Sequence, residues 1–108
     1  MLTIIAAIQV KPAAEHFQRV VTALSNITAT VLKEEGCFAY DILVNHESNA
    51  AYQAPVQDTI IMLEKLQSMQ HLDQHLATTH MQRYQEQVKD DVLAVKVSIL
   101  ESGYQVQQ

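Results

Sequence analysis

The sequence predicts an α+β domain of the ferredoxin-like type, β-α-β-β-α-β, built on a four-stranded antiparallel sheet. Three observations predict it. Four apolar runs carry the two-residue period of strands. A long stretch with three- and four-residue apolar spacing separates the first two runs, and a second helical region separates the last two. At 108 residues the chain reads as one domain spanning 1–108, with a core over about 2–100 and a C-terminal tail at 101–108.

Leu2 to Val10 is the first strand. Leu2, Ile4, Ala6 and Ile8 fall on one side, and Ile5 and Ala7 on the other, so both faces want cover. Pro12 suits the first turn of a helix, where its missing N–H costs nothing. Phe17, Val20, Val21, Leu24, Ile27, Val31 and Leu32 then define a long amphipathic helix ended by Gly36. Glu34 and Glu35 sit at the negative end of that helix dipole, an unfavourable placement that the local sequence does not explain. "CFAYDILVNH" (37–46) alternates Phe38, Tyr40, Ile42 and Val44 as strand two. "ESNAAYQAPVQD" is a connecting loop or loose hairpin, and its Tyr52 is an aromatic placed to lid a pocket. "TIIMLEKL" (59–66) is strand three, again apolar on both sides.

Ser68 is the expected N-cap of the next helix, with Met69, Leu72 and Leu76 as its stripe. Thr79 and Gln82 form a capping box, which starts another helix at His80 with the stripe Met81, Tyr84 and Val88. "DDVLAVKVSIL" (90–100) is strand four, with Leu93, Val95, Val97 and Ile99 on one face. Helices on one side of an antiparallel sheet leave the other side to solvent, yet strands one and three are apolar on both. The economical solution is a homodimer whose two sheets pack into a shared α/β barrel.

Composition excludes several classes. A net charge of −5 and the lack of a Lys/Arg cluster argue against nucleic acid and against an anionic membrane. The apolar start has no basic residues ahead of it and is too short to span a bilayer. A single cysteine, Cys37, makes no intrachain disulfide, in keeping with a cytoplasmic protein.

"HLDQHLATTH" (71–80) holds three of the five histidines. His71 and His75 lie one helical turn apart, a spacing able to hold a metal. Leu72, Asp73 and Gln74 stand between them, so the zinc-enzyme pattern with its intervening glutamate is missing, and the reading is that no metal is bound. His71 reads as an exposed or half-buried histidine with no chemistry. His75 and His80 border apolar stripes and are the candidate acid–base groups, His80 at a helix start that favours neutral imidazole.

"VLKEEGCFAY" (31–40), the run from Glu64 to His75, "HLATTHM" (75–81) and "VKDDVL" (88–93) together resemble the antibiotic biosynthesis monooxygenase domain family, in particular its small bacterial quinol monooxygenases. The resemblance runs from about Leu2 to Leu100. It implies a dimeric α+β barrel and the oxygen-dependent oxidation of quinols or polycyclic phenols, with no metal, haem or flavin cofactor. Family members typically carry tryptophan where this chain has Leu66, a ring that touches substrate in some relatives. Haem-degrading relatives use an asparagine in strand one and a histidine in the last helix; Ala7 and Tyr84-Gln85 stand near those places, so haem breakdown is not implied.

The chemistry asks for a proton acceptor, a flat apolar pocket and an oxygen path. Triplet oxygen reacts slowly with closed-shell molecules, but a hydroquinone anion can pass it one electron. His75 or His80 is the expected base, with Tyr40 and Tyr84 as hydrogen-bonding or stacking neighbours and Phe38, Met62 and Leu66 as walls. The partners implied are a small aromatic substrate, oxygen and a second copy of the chain. Two alternatives stay open. One is an isomerase-type enzyme on a small phosphorylated signal, which needs cations such as Lys33 or Arg83. The other is a non-catalytic binder of a hydrophobic small molecule.

Overall fold

The computed structural model describes residues 1–104; the last four residues of the tail read at 101–108 lie outside the described residues. The elements run β1 (Leu2–Val10), α1 (Ala14–Val31), β2 (Cys37–Leu43), β3 (Thr59–Leu66), α2 (Met69–Leu76), α3 (Thr79–Val88) and β4 (Val92–Leu100). The sheet order is β2-β3-β1-β4, with every pair antiparallel. That is the ferredoxin-like arrangement expected from the patterning.

Register assigns the faces. Ile4 pairs with Glu64 and Ile99, Ala6 with Met62 and Val97, and Ile8 with Ile60 and Val95. Paired residues point to one side, so all of these share the face that the helices cover. There Val20, Leu24 and Val31 of α1 and Met81, Tyr84 and Val88 of α3 close over Ile8, Ile60 and Met62 as the main core. A smaller cluster of Ile4, Leu66 and Leu72 sits at the α2 end. The opposite face carries Ile5, Ala7, Ile61 and Leu63, only half-buried in the single chain.

Several local expectations are corrected. The first helix starts at Ala14, not within a turn containing Pro12, because Ala13 takes a positive φ of 109° and breaks the path. It ends at Val31, and Leu32 to Gly36 form turns instead of helix. Gly36 still marks the reversal, with φ +78°. Phe38 does not follow the alternation of strand two. The pairing slips between Cys37 and Ala39, and this bulge turns Phe38 to solvent while Tyr40 stays buried. The last helix is capped by Thr78, whose hydroxyl accepts the Met81 N–H, so Thr79 is its first residue and not its cap. Tyr52 is 93% exposed and covers no cavity.

Candidate active site

Between the sheet and α2/α3 lies a cavity of 630 Å³, walled mainly by Ile4, Ala6, Met62, Leu72, Val88 and Val97. It extends to the edge strand β4, where Val95, Val97 and Ile99 are about half exposed for want of a helix above them. Its polar end is made by Tyr40, Glu64, His75 and Tyr84.

Four separate pieces of chain build that end. Ser68 caps α2 by accepting the His71 N–H, which sets the helix phase so that Leu72 and His75 face inward. The turn after α1 brings Glu34 alongside. His75 Nδ1 donates to Glu34 Oε1 at 2.9 Å and to Oε2 at 3.1 Å. His80 Nε2, from the first turn of α3, donates to Glu34 Oε2 at 2.6 Å. The placement of Glu34 that looks unfavourable in the sequence is thus compensated by two imidazole donors. A carboxylate accepts only, so it selects the Nδ1–H form of His75 and leaves Nε2 unprotonated toward the cavity.

On that side His75 Nε2 lies 3.7 Å from Glu64 Oε1. Glu64 occupies a core position in the alternation Ile60, Met62, Glu64, Leu66 and is 7% exposed. Burial, with the nearby Glu34 charge adding to it, pushes the Glu64 carboxyl up to about 7. Its Oε1 has no hydrogen-bond partner among the described residues. Tyr40 meets the His75 ring edge-on, with centroids 5.7 Å apart. Burial raises the Tyr40 hydroxyl well above its ordinary range, and raises Tyr84 to about 12, so both are neutral donors.

The residues expected from the sequence therefore separate. His75, Tyr40, Tyr84 and Met62 line the cavity; His80, Phe38 and Leu66 do not. His80 reaches the site only through Glu34. Phe38 lies outside because of the β2 bulge. Leu66, at the end of β3, is sealed by Ile4 and Leu72 and is 1% exposed. His71 turns away from His75 to take the Ser68 hydroxyl at its Nδ1 (2.7 Å). Glu34 and Glu64 are the contributors that residue typing overlooked, although a carboxylate within an apolar alternation was a signal for Glu64. Glu34, His75 and His80 form a set able to hold a metal ion, their ligand atoms all within 4.8 Å of one another. Lys33 and Arg83 do not reach the cavity; Lys89 does, but its ammonium is 2.7 Å from Glu86.

An apolar cavity that ends in buried acid–base side chains is the layout of a small-molecule enzyme on a ferredoxin-like fold. Residues 1–87 match the antibiotic biosynthesis monooxygenase family. The chain is 43% identical over 103 residues to "Probable quinol monooxygenase YgiN" of Escherichia coli K12, covering 95% of this chain and 99% of the relative. The chain belongs to the antibiotic biosynthesis monooxygenase family. Among solved structures it is similar to PA3566 from Pseudomonas aeruginosa, at TM-score 0.76 and 24% identity over 98% of this chain and 94% of the other. It is also similar to Rv0793 from Mycobacterium tuberculosis, at TM-score 0.77 and 20% identity over 98% of each chain. These two support the fold. No helix among the described residues is long and apolar enough to cross a membrane.

Proposed function

We propose that this chain oxidises a quinol or polycyclic phenol with molecular oxygen, using no cofactor, and that His75 is the base. The observation that carries this reading is His75 at the polar end of an apolar cavity, held from behind by Glu34. The name of the Escherichia coli relative supports the substrate class.

In this mechanism the planar ring lies between Met62, Ile4 and the α3 side chains, with one hydroxyl toward His75 Nε2. The imidazole takes the phenolic proton, and the Glu34 carboxylate stabilises the imidazolium that results. Tyr40 and Tyr84 donate to the phenolate oxygen. The anion then passes one electron to oxygen in the largely apolar pocket, giving a semiquinone radical and superoxide. Glu64 offers a second acceptor on the far side of His75. His80 remains a candidate base by residue type, but its Nε2–H is committed to Glu34 and helps to hold that carboxylate against His75. The cavity offers a phosphorylated substrate no free cation among its lining residues, which weighs against the isomerase alternative.

The working unit in this proposal is a homodimer in the cytoplasm. The half-exposed apolar residues of β4 and the uncovered Ile5, Ala7, Ile61 and Leu63 give a second copy something to cover. Sedimentation of wild type against Val97→Lys tests it: a monomeric wild type sinks the dimer. The catalytic reading is tested by oxygen uptake of metal-stripped protein with a naphthohydroquinone, autoxidation subtracted. Uptake that drops about a hundredfold in His75→Ala supports it; a wild-type rate equal to the blank removes it.

A further inference from the structure

Glu34, His75 and His80 come from three separate elements: the turn after α1, the last turn of α2 and the first turn of α3. Two imidazoles and one carboxylate with ligand atoms within 4.8 Å form a three-ligand metal set. A second observation is independent of that convergence. Glu64 Oε1 is buried, has no hydrogen-bond partner among the described residues, and faces His75 Nε2 at 3.7 Å. While Nδ1 carries the ring proton for Glu34, Nε2 has no proton to offer Glu64 across that gap. A metal ion on Nδ1 moves the proton to Nε2, which then donates to Glu64. The result is the carboxylate–histidine–metal arrangement that orients imidazole ligands elsewhere.

We propose that Glu34, His75 and His80 bind a divalent transition-metal ion of the zinc class, with Glu64 as the outer carboxylate on His75. Imidazole with carboxylate favours zinc, cobalt or ferrous ions over magnesium and calcium. Both histidines enter as neutral rings with shifted tautomers, so the two rings lose no net proton. The present donor–acceptor distances of 2.6 and 2.9 Å widen to about 3.3 Å to seat a tetrahedral ion about 2.0–2.1 Å from each ligand atom. The side chains of His80 and Glu34 are 22% and 15% exposed, which gives the ion an approach that bypasses the cavity. One consequence rests on the quinol reading. A metal on Nδ1 leaves Nε2 protonated, so metal occupancy and proton removal by His75 exclude each other, and the ion acts as an inhibitor.

The test uses the metal-stripped full chain titrated with Co²⁺, followed by visible absorption and calorimetry. Saturation at one ion per chain with ligand-field bands is expected, weakened at least about tenfold in Glu34→Gln and in His80→Ala and unchanged in His71→Ala. Circular dichroism establishes that each variant is folded. No saturable binding, or binding that survives both Glu34→Gln and His80→Ala, overturns the site. Oxygen uptake is run on the same samples, with a tenfold or greater loss expected at one equivalent of Zn²⁺. Metal-stripped protein that turns over but takes up no Co²⁺ sinks the site and keeps the quinol reading. Protein that binds Co²⁺ but never turns over does the reverse. Binding without inhibition overturns the exclusion between metal and base.

Discussion

Glu34 lies just past the end of α1 and accepts, at 2.9 Å, the Nδ1 proton of His75, a residue 41 positions further along the chain. The tautomer of the candidate base is therefore set by a separate element, and the same carboxylate holds His80 at 2.6 Å. Side-chain contacts of this kind govern the chemistry more directly than the count of histidines in the helix.

Removing that carboxylate should unset the base without emptying the cavity. Glu34→Ala is expected to lower kcat of quinol-dependent oxygen uptake by about ten- to a hundredfold, with KM changing much less. Glu34→Gln keeps one acceptor and should recover part of the loss. Steady-state kinetics on the two variants decide it; equal losses in kcat for Ala and Gln would mean that charge, not orientation, matters.

Gly36 should tolerate no side chain. Its φ is +78°, and a Cβ there would lie 2.3 Å from His71 Cδ2. Gly36→Ala is expected to destabilise the fold by about 1–3 kcal/mol in urea unfolding, with unchanged m. Adding His71→Ala relieves the collision but not the backbone strain, so the double variant should recover only in part.

Asp91 ties the start of β4 to α1: its carboxylate accepts from Arg19 Nε at 2.9 Å and from His16 Nδ1 at 2.8 Å. The hydrogen bond from Arg19, with that from His16, holds its pKa below the ordinary carboxylate value. A folded pKa below the unfolded one means stability that is present above the unfolded value, about 3.9, and lost as pH falls through the folded one. Asp91→Asn should therefore lower Tm at pH 7, and its difference from wild type should shrink steadily below about pH 4. Thermal melts across that range check the sign; a difference that grows in acid contradicts it.

Placing at position 66 the aromatic ring that the family resemblance leads one to expect should not build a substrate contact here. Leu66 is enclosed by Ile4 and Leu72, with no opening into the cavity. Leu66→Trp is expected to cost about 1–3 kcal/mol from overpacking, measured by denaturant unfolding. A stable variant with tighter naphthohydroquinone binding would show that α2 gives way instead.

Local pattern was enough for β1, β3 and the Ser68-capped α2. Each depends on neighbours in sequence: two-residue alternation, three- and four-residue stripes, a cap. It was also enough for the fold class, since only a few topologies join those elements without crossing. The bulge at Phe38 was not legible, because a one-residue slip depends on what β3 offers opposite it. Leu66 likewise reads as a pocket wall from its strand position, and only the seat of α2 over it decides otherwise.

The sequence by itself determined the elements, their order, the apolar excess on both faces of the sheet and a pair of candidate bases, His75 and His80, with no choice between them. Only the tertiary structure decided that His75 lies between Glu34 and Glu64 and that His80 meets it through Glu34. Periodicity records which side of an element is buried, because burial follows the repeat of the backbone. It carries no record of which distant carboxylate shares that burial, and the pairing that shapes this site is a long-range electrostatic fact.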